Sequence, residues 1–174
     1  YVLPALSRAA SDPEEVVRCA LASAVAQLAE TSKRFLEIAQ WMRVVSLRRE
    51  GHGSGGAGER GTGDVMTASG GHVDGGGGES SAATLQSFDM ELMSLQEQVS
   101  KVVVGLVTDP DSTASVKRCL LTDITRLCIF MSRQNTNDLL LPLLITFLND
   151  RETALRAAFF ESISGVCAFV GLAS

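Results

Sequence analysis

Three segments of the chain carry apolar residues at one shared spacing, which predicts three helices of the same kind. Counted from the first apolar residue of each segment, the positions are 0, 4, 8, 11 and 12, and two segments continue to 15. A helix with about 3.6 residues per turn places such positions on one face. Three matches in one phase indicate an internal repeat. The segments are Val17, Leu21, Val25, Leu28 and Ala29; Val116, Leu120, Ile124, Leu127, Cys128 and Met131; and Leu155, Phe159, Ile163, Val166, Cys167 and Val170.

The residues that flank each segment also repeat. A basic residue follows the first apolar position each time, and a turn that contains aspartate precedes it. Aspartate before a helix can accept hydrogen bonds from the first free N–H groups. A basic side chain at the helix start can pair with the aspartate of its own turn or of the neighbouring repeat. We therefore predict a structural role for the turn and helix-start residues, which are Asp12, Arg18, Asp109, Lys117, Arg118, Asp150 and Arg156.

Two further apolar helices, Leu92 to Val107 and Leu139 to Leu148, precede the last two turns, so the predicted unit is helix, turn, helix. The step from Val116 to Leu155 is 39 residues. HEAT and armadillo repeats run about 40–47 residues and tetratricopeptide repeats about 34, so the former fit better. The pattern predicts an all-α fold without a β-sheet, arranged as a right-handed HEAT/armadillo-type α-solenoid of antiparallel helix pairs.

A glycine-rich tract divides the chain. Thirteen of the 16 glycines lie between Gly51 and Gly78, and such a segment buries too little apolar surface to offset its chain entropy. We predict HEAT-like helices over residues 1–48, where the first repeat is incomplete and an extra helix follows. A disordered insertion is predicted over residues 49–84, and two HEAT-like repeats over residues 85–174.

The extra helix, predicted from Ser32 to about Arg49, permits two interpretations. It combines basic residues with apolar ones that include Trp41, and a basic amphipathic helix with a tryptophan can lie on an anionic membrane. It can also be a solenoid helix whose apolar side meets its neighbours and whose basic side is solvated. We favour the second interpretation, because Glu37 and Glu50 dilute the charge.

Composition excludes several classes of protein. The net charge of −5 argues against a nucleic-acid module held by phosphate neutralisation. No run approaches the roughly 20 apolar residues that a bilayer requires, which argues against a membrane span. The four cysteines are widely spaced and fall on apolar helix faces, so we expect four small buried thiols and no zinc site. Those cysteines are Cys19, Cys119, Cys128 and Cys167.

No catalytic, cofactor-binding or metal-binding constellation is recognisable. The two histidines, His52 and His72, lie in the glycine-rich tract, so nucleophilic catalysis lacks a positioned base. The segment from Gly53 to Gly58 matches Gly-x-Gly-x-x-Gly, but it follows a predicted helix where a dinucleotide site requires a strand. We expect no enzyme activity and no cofactor in this stretch of chain.

Seven stretches outside residues 49–84 are more particular than a generic HEAT pattern: VRCALAS at 17–23, AQLAETSKRFL at 26–36, VKR at 116–118, ITRLCIF at 124–130, ITFLND at 145–150, LRAAFFESI at 155–163 and GV at 165–166. They resemble the HEAT-repeat region of the regulatory subunit of class III phosphatidylinositol 3-kinase. The resemblance covers most of the chain outside residues 49–84. Neither a His-Arg-Asp loop nor an Asp-Phe-Gly motif of the family's kinase-like domain occurs, so no catalytic residue is carried over.

The resemblance implies a middle spacer of a longer protein that has a lipid anchor, a serine/threonine-kinase-like domain, HEAT repeats and a WD40 propeller. It implies a non-catalytic scaffold for phosphatidylinositol 3-phosphate production in autophagy and in endosomal or vacuolar sorting. The implied partners are the lipid-kinase catalytic subunit and the coiled-coil autophagy and sorting subunits, with no nucleic acid. The implied location is cytoplasmic and peripheral to endosomal and autophagic membranes, through the complex. A HEAT or armadillo adaptor of another pathway, in transport or as a phosphatase scaffold, remains the alternative.

Overall fold

The segments with periodic apolar residues form helices in the structure of the protein, which is a computed structural model. It describes the backbone of residues 2–51 and 78–171 and the side chains of residues 6–49 and 85–171. Across these residues no strand forms, which confirms the all-α class. In chain order the elements are α1 (Val2–Ala10), α2 (Glu15–Gly51), α3 (Gly78–Thr108), α4 (Ala114–Thr122), α5 (Ile124–Asn135), a π-helical turn (Thr136–Leu140), α6 (Leu141–Ile145), a 3-10 turn (Thr146–Asn149) and α7 (Thr153–Val170).

The chain forms two compact units. One consists of Tyr1–Arg34 together with Leu92–Ser174, and the other of Phe35–Glu91. The core of the first unit is made of buried apolar side chains. The largest of those that are almost wholly buried come from the second half of α3, from α4 and α5, from the segment that leads into α7 and from α7 itself: Val99, Val102, Val103, Leu106, Leu120, Ile124, Leu127, Met131, Leu140, Leu144, Phe147 and Leu155.

The predicted apolar register is confirmed in full for the second segment, because all six of its positions from Val116 to Met131 are buried. The first and third segments follow it only in part. Leu28, Ile163 and Val170 are half-buried. Val17 is exposed, since the neighbouring Arg18 takes the buried position in the first turn of α2. Cys167 is also exposed, because the adjacent Val166 holds the position that faces the core.

Helix α2 is longer than either helix predicted for its span. The segment that begins at Val17 and the helix that begins at Ser32 form one continuous helix of 37 residues. The hydroxyls of Thr31 and Ser32 donate to the carbonyl oxygens of Gln27 and Leu28, at 2.7 and 2.8 Å, and so remain compatible with the helix. No glycine or proline lies between Glu15 and Glu50 to interrupt the helix.

The glycine-rich tract lies mostly outside the described residues. Helix α2 continues to Gly51 and α3 begins at Gly78, so helix extends into both ends of the range 49–84. The disordered insertion was predicted over residues 49–84, and the part of it from 52 to 77 lies outside the described residues.

The predicted helix from Leu139 to Leu148 is irregular. It is divided among the π-helical turn, α6 and the 3-10 turn. Pro142 has no N–H to donate to the carbonyl four residues earlier, which prevents a regular α-helix there. Before it, the backbone leaves the helical region at Ser132, whose φ is 72°. The hydroxyl of the buried Thr136 donates to the Ser132 oxygen at 2.7 Å, and the same oxygen also accepts from the backbone N–H of Thr136.

Helix α7 packs against α4 and α5. Its approach to α5 is close at Gly165, where an added Cβ would lie 2.5 Å from Oγ1 of Thr125. By length and composition α7 is also the one described helix that could cross a membrane, although the chain lacks a long uninterrupted apolar run. A single helix of this kind is weak evidence for a span, and three residues of α7, Leu155, Phe159 and Val166, are buried in the first unit.

Candidate functional site: the basic ladder

The basic residues predicted at the helix starts make contacts that we call the basic ladder, defined as Arg18, Lys117 and Arg156 with the turns that they touch. Arg18 is 5% exposed. Its Nη1 donates to the backbone oxygens of Asp12 and Pro13, the latter at 3.2 Å. Its Nη2 donates to the backbone oxygen of Asp111 at 3.0 Å, which joins the turn before α2 to the turn before α4.

The aspartates of the ladder act within their own turns. Oδ1 of Asp12 accepts from the N–H of Glu14 at 2.9 Å, and Oδ1 of Asp109 accepts from the N–H of Asp111 at 2.9 Å. Each carboxylate therefore closes a short turn by accepting from the N–H two residues later, before the helix begins, where the sequence predicted a cap on the helix itself. Arg18 correspondingly binds backbone carbonyls and not carboxylates.

Lys117 reaches the turn before α7. Its Nζ lies 2.9 Å from Oδ2 of Asp150, and both side chains are about one-fifth exposed. The Nζ also lies 5.9 Å from the ring centre of Phe147. Oδ1 of Asp150 accepts from the N–H of Glu152 at 3.0 Å. This backbone hydrogen bond, followed by the hydrogen bond from Lys117, lowers the pKa of the Asp150 carboxyl.

Arg156 repeats the local geometry of Arg18. Its Nη1 donates to the backbone oxygens of Asp150 at 2.7 Å and Arg151 at 3.1 Å, which are six and five residues earlier. Arg18 contacts the residues at the same two offsets, Asp12 and Pro13. Arg118 lies apart from this pattern, because it is exposed and only approaches Glu152, at 4.0 Å.

The contact between Arg18 and Asp111 was not predicted from the sequence. Asp111 supplies the carbonyl for Arg18, whereas the prediction named Asp109 in that turn. The sequence contains a regular spacing that could have indicated these three aspartates, because Asp12, Asp111 and Asp150 each stand six residues before a basic residue. The contacts from Arg18 and Lys117 link successive turns to one another.

A groove of about 610 Å³ lies beside the ladder, between α4 and α7. Its polar lining consists of Arg118, Glu161, Thr122 and two serines, so it combines opposite charges without a histidine. Among the described residues no group of three or more histidine, cysteine or acidic side chains could hold a metal ion. His52 and His72 lie outside those residues.

The cysteines are less uniform than predicted. Cys128 is buried, and burial raises the pKa of its thiol to about 11. Cys19 and Cys119 are half-buried, and Cys167 is exposed, so the expectation of four buried thiols is wrong. Partial burial, and then a hydrogen bond with Cys119, raise the pKa of Cys19. A raised pKa keeps a thiol protonated and weakly nucleophilic, which is typical of a packing role.

The second unit departs from the favoured interpretation of the helix between Ser32 and Arg49. Several of its large apolar side chains are exposed where the prediction placed them against neighbouring helices, namely Phe35, Ile38, Trp41, Met42, Val45 and Leu47. The burial of α2 differs between the two units, since Leu21, Val25 and Ala29 in the first unit are buried.

Comparison with known proteins places the chain in a family. The model of the PIK3R4-like middle domain matches residues 1–174. The chain is 39% identical over 175 aligned positions to a probable serine/threonine-protein kinase vps15 of Dictyostelium discoideum, which covers 100% of the chain and 8% of that protein. It is 35% identical to the serine/threonine-protein kinase VPS15 of Arabidopsis thaliana, across 94% of the chain and 10% of that protein.

A third relative is a non-specific serine/threonine protein kinase of Candida glabrata. It is 44% identical over 77 residues, which amount to 44% of the chain and 5% of that protein. The chain therefore spans no more than about a tenth of the length of these curated relatives.

Proposed function

Because the chain belongs to the PIK3R4-like middle-domain family, we propose that it is a non-catalytic scaffold segment of the regulatory subunit of a class III phosphatidylinositol 3-kinase complex. The observation that carries the proposal is the match of the family model to all 174 residues. Two relatives named Vps15 support it, because they align with 94% or more of the chain. The same family assignment confirms the resemblance found in the sequence.

In this proposal the segment acts without a catalytic residue, cofactor or metal of its own. The kinase activity in the relatives' names belongs to other parts of those longer proteins. The absence of the His-Arg-Asp and Asp-Phe-Gly motifs from the sequence supports this assignment. So does the use of the basic ladder, whose hydrogen bonds are directed at the chain's own turns.

We also propose that the helices are arranged as HEAT/armadillo-type repeats. The equal offsets of the Arg18 and Arg156 contacts support an internal repeat, since the same local geometry recurs 138 residues apart in the chain. The contacts from Arg18 to Asp111 and from Lys117 to Asp150 support stacking, because each joins one turn to the next. An experimental structure of the assembled complex that lacks stacked helix pairs here would contradict this arrangement.

The partners and location follow from the family. The partners proposed are the lipid-kinase catalytic subunit and the coiled-coil subunits of autophagy and sorting. The location proposed is cytoplasmic and peripheral to endosomal and autophagic membranes, through the complex. Solenoid repeats suit this role, because each repeat contacts only its neighbours and leaves its long faces free for other proteins.

The test is a deletion in the full-length protein expressed in its own host. Removal of residues 1–174 is expected to reduce co-purification of the lipid-kinase subunit and cellular phosphatidylinositol 3-phosphate together. A matched control replaces only residues 52–77 with a short linker and is expected to preserve both, because loop length changes the closure entropy slowly. If the larger deletion leaves assembly and lipid production intact, the scaffold role is wrong.

A further inference from the structure

A row of four exposed apolar side chains runs along α2 in the second unit. Phe35, Ile38, Met42 and Val45 stand at offsets 0, 3, 7 and 10, and they are between 44% and 68% exposed. We call these four residues the seam. Alternation of three and four residues is the spacing of positions a and d in a heptad, by which one helix packs against another.

The two flanks of the seam differ in size and charge. In the same heptad register Trp41 and Arg48 lie on one flank, and Ala39 and Ser46 lie on the other. Arg49 follows Val45 at the next heptad position. Small residues on one flank allow close approach of a second backbone, while the arginines favour acidic residues opposite them.

The second unit uses a different face of α2 for its own packing. Leu36, Gln40 and Val44 are less exposed than the seam and stand about a third of a turn or more from its centre. Arg43 Nη1 lies 3.0 Å from Oε1 of Glu91, which joins α2 to α3 in this unit. The seam therefore remains open while the unit is assembled, among the residues whose side chains are described.

We propose that the seam docks an amphipathic α-helix from another protein, whose apolar stripe is bordered by acidic residues. Heptad spacing along a narrow stripe favours a helix as the occupant. An anionic membrane fits less well, because one flank of the seam is small and uncharged and the chain carries a net charge of −5. A second copy of this chain also fits less well, because pairing of two seams would place the arginine side chains of one copy opposite those of the other.

This inference rests on the proposed scaffold role and names the chemistry of one partner surface. The first test is site-specific cross-linking in the full-length protein within its native complex, with a photoreactive residue in place of Met42. The expected product joins this position to a helical segment that has acidic residues beside its apolar heptad positions. A photoreactive residue in place of Ile129, an exposed isoleucine of α5, serves as the matched control and is expected to give a different product.

The second test measures binding of the full-length protein to a designed helical peptide of four heptads, with leucine at a and d and glutamate at e and g. The double variant Ile38→Ser and Met42→Ser is expected to weaken this binding at least tenfold, whereas Ile129→Ser leaves it unchanged. A peptide with lysine at e and g is expected to bind at least tenfold more weakly than the glutamate peptide. The melting temperature is expected to stay constant, because every substituted residue is exposed.

Three outcomes would overturn the inference. The first is cross-linking of the Met42 position only to lipid or to a second copy of the chain. The second is equal binding of the glutamate and lysine peptides. The third is binding to vesicles of phosphatidylcholine and phosphatidylserine that the seam variants abolish, with no effect on the peptide. If the seam inference fails while deletion of residues 1–174 still disrupts the complex, the scaffold role stands without it.

Discussion

The close contact between Gly165 and Thr125 makes the glycine a sensitive position for stability. Alanine normally stabilises a helix relative to glycine by about 1 kcal/mol. At Gly165, however, the new Cβ would lie 2.5 Å from the Thr125 oxygen, and overpacking of this kind costs about 1–3 kcal/mol. We therefore expect Gly165→Ala to lower the free energy of unfolding by about 1 kcal/mol on balance.

A double-mutant cycle tests whether the contact with Thr125 causes the loss of stability expected for Gly165→Ala. Thr125→Ala removes Oγ1 and Cγ2, and leaves a Cβ that would sit 3.6 Å from the new one, an ordinary contact. In that background Gly165→Ala is expected to stabilise the chain by about 1 kcal/mol, as helix propensity alone predicts. The coupling energy between the two substitutions is then about 2 kcal/mol, within the range known for contacting residues.

Urea unfolding of the four chains measures this coupling, provided that the slope against denaturant stays constant. Gly105→Ala is the matched control, because the nearest atom to its added Cβ is Ala10 Cβ at 3.7 Å. It is expected to gain up to about 1 kcal/mol. If Gly165→Ala stabilises the chain as Gly105→Ala does, or shows no coupling to Thr125→Ala, the close approach of α5 and α7 is refuted.

Three further predictions concern the ladder and the core. Phe159→Ala should lower the free energy of unfolding by about 3–5 kcal/mol in urea titrations, because Phe159 is buried. Arg18→Met should cost more than Arg156→Met in the same assay, since Arg18 is more buried and also binds Asp111. The low pKa of Asp150 stabilises the fold above its ordinary value of 3.8, and this contribution is lost as the pH falls through the lower folded value. The stability difference from Asp150→Asn should therefore shrink in acid unfolding series.

The helical class and the core of the first unit could be predicted from the sequence because both depend on local periodicity. The second segment shows this best, since the side chains from Val116 to Met131 that were assigned to one face are all buried. Periodicity does not show a break between two helices when the apolar residues on both sides of the break still lie on the same buried face. Asp123 separates α4 from α5 in the middle of this segment, yet Leu120 and Ile124 stay on the buried side.

The boundaries of α2 could not be predicted because the sequence signals there are weak. The second helix was predicted to begin at Ser32, and both Thr31 and Ser32 have side chains that can compete with the helix backbone for hydrogen bonds. In the folded chain their hydroxyls bind carbonyls one turn earlier, so the helix passes through them. The exposure of Phe35 and Trp41 was missed for a different reason, since an apolar stripe in a sequence does not reveal whether anything covers it.

The basic ladder shows how side-chain chemistry selects partners that sequence spacing leaves open. A turn that contains aspartate and a basic residue at the following helix start suggested ion pairs, yet of Arg18, Lys117 and Arg156 only Lys117 binds a carboxylate, that of Asp150. Arginine presents a planar fork with several donors, so Arg18 can satisfy three backbone carbonyls at once. Lysine is a compact point charge and gains most from one full opposite charge. The residue type therefore determines whether a turn is held through its backbone or through its aspartate, a distinction that spacing alone cannot make.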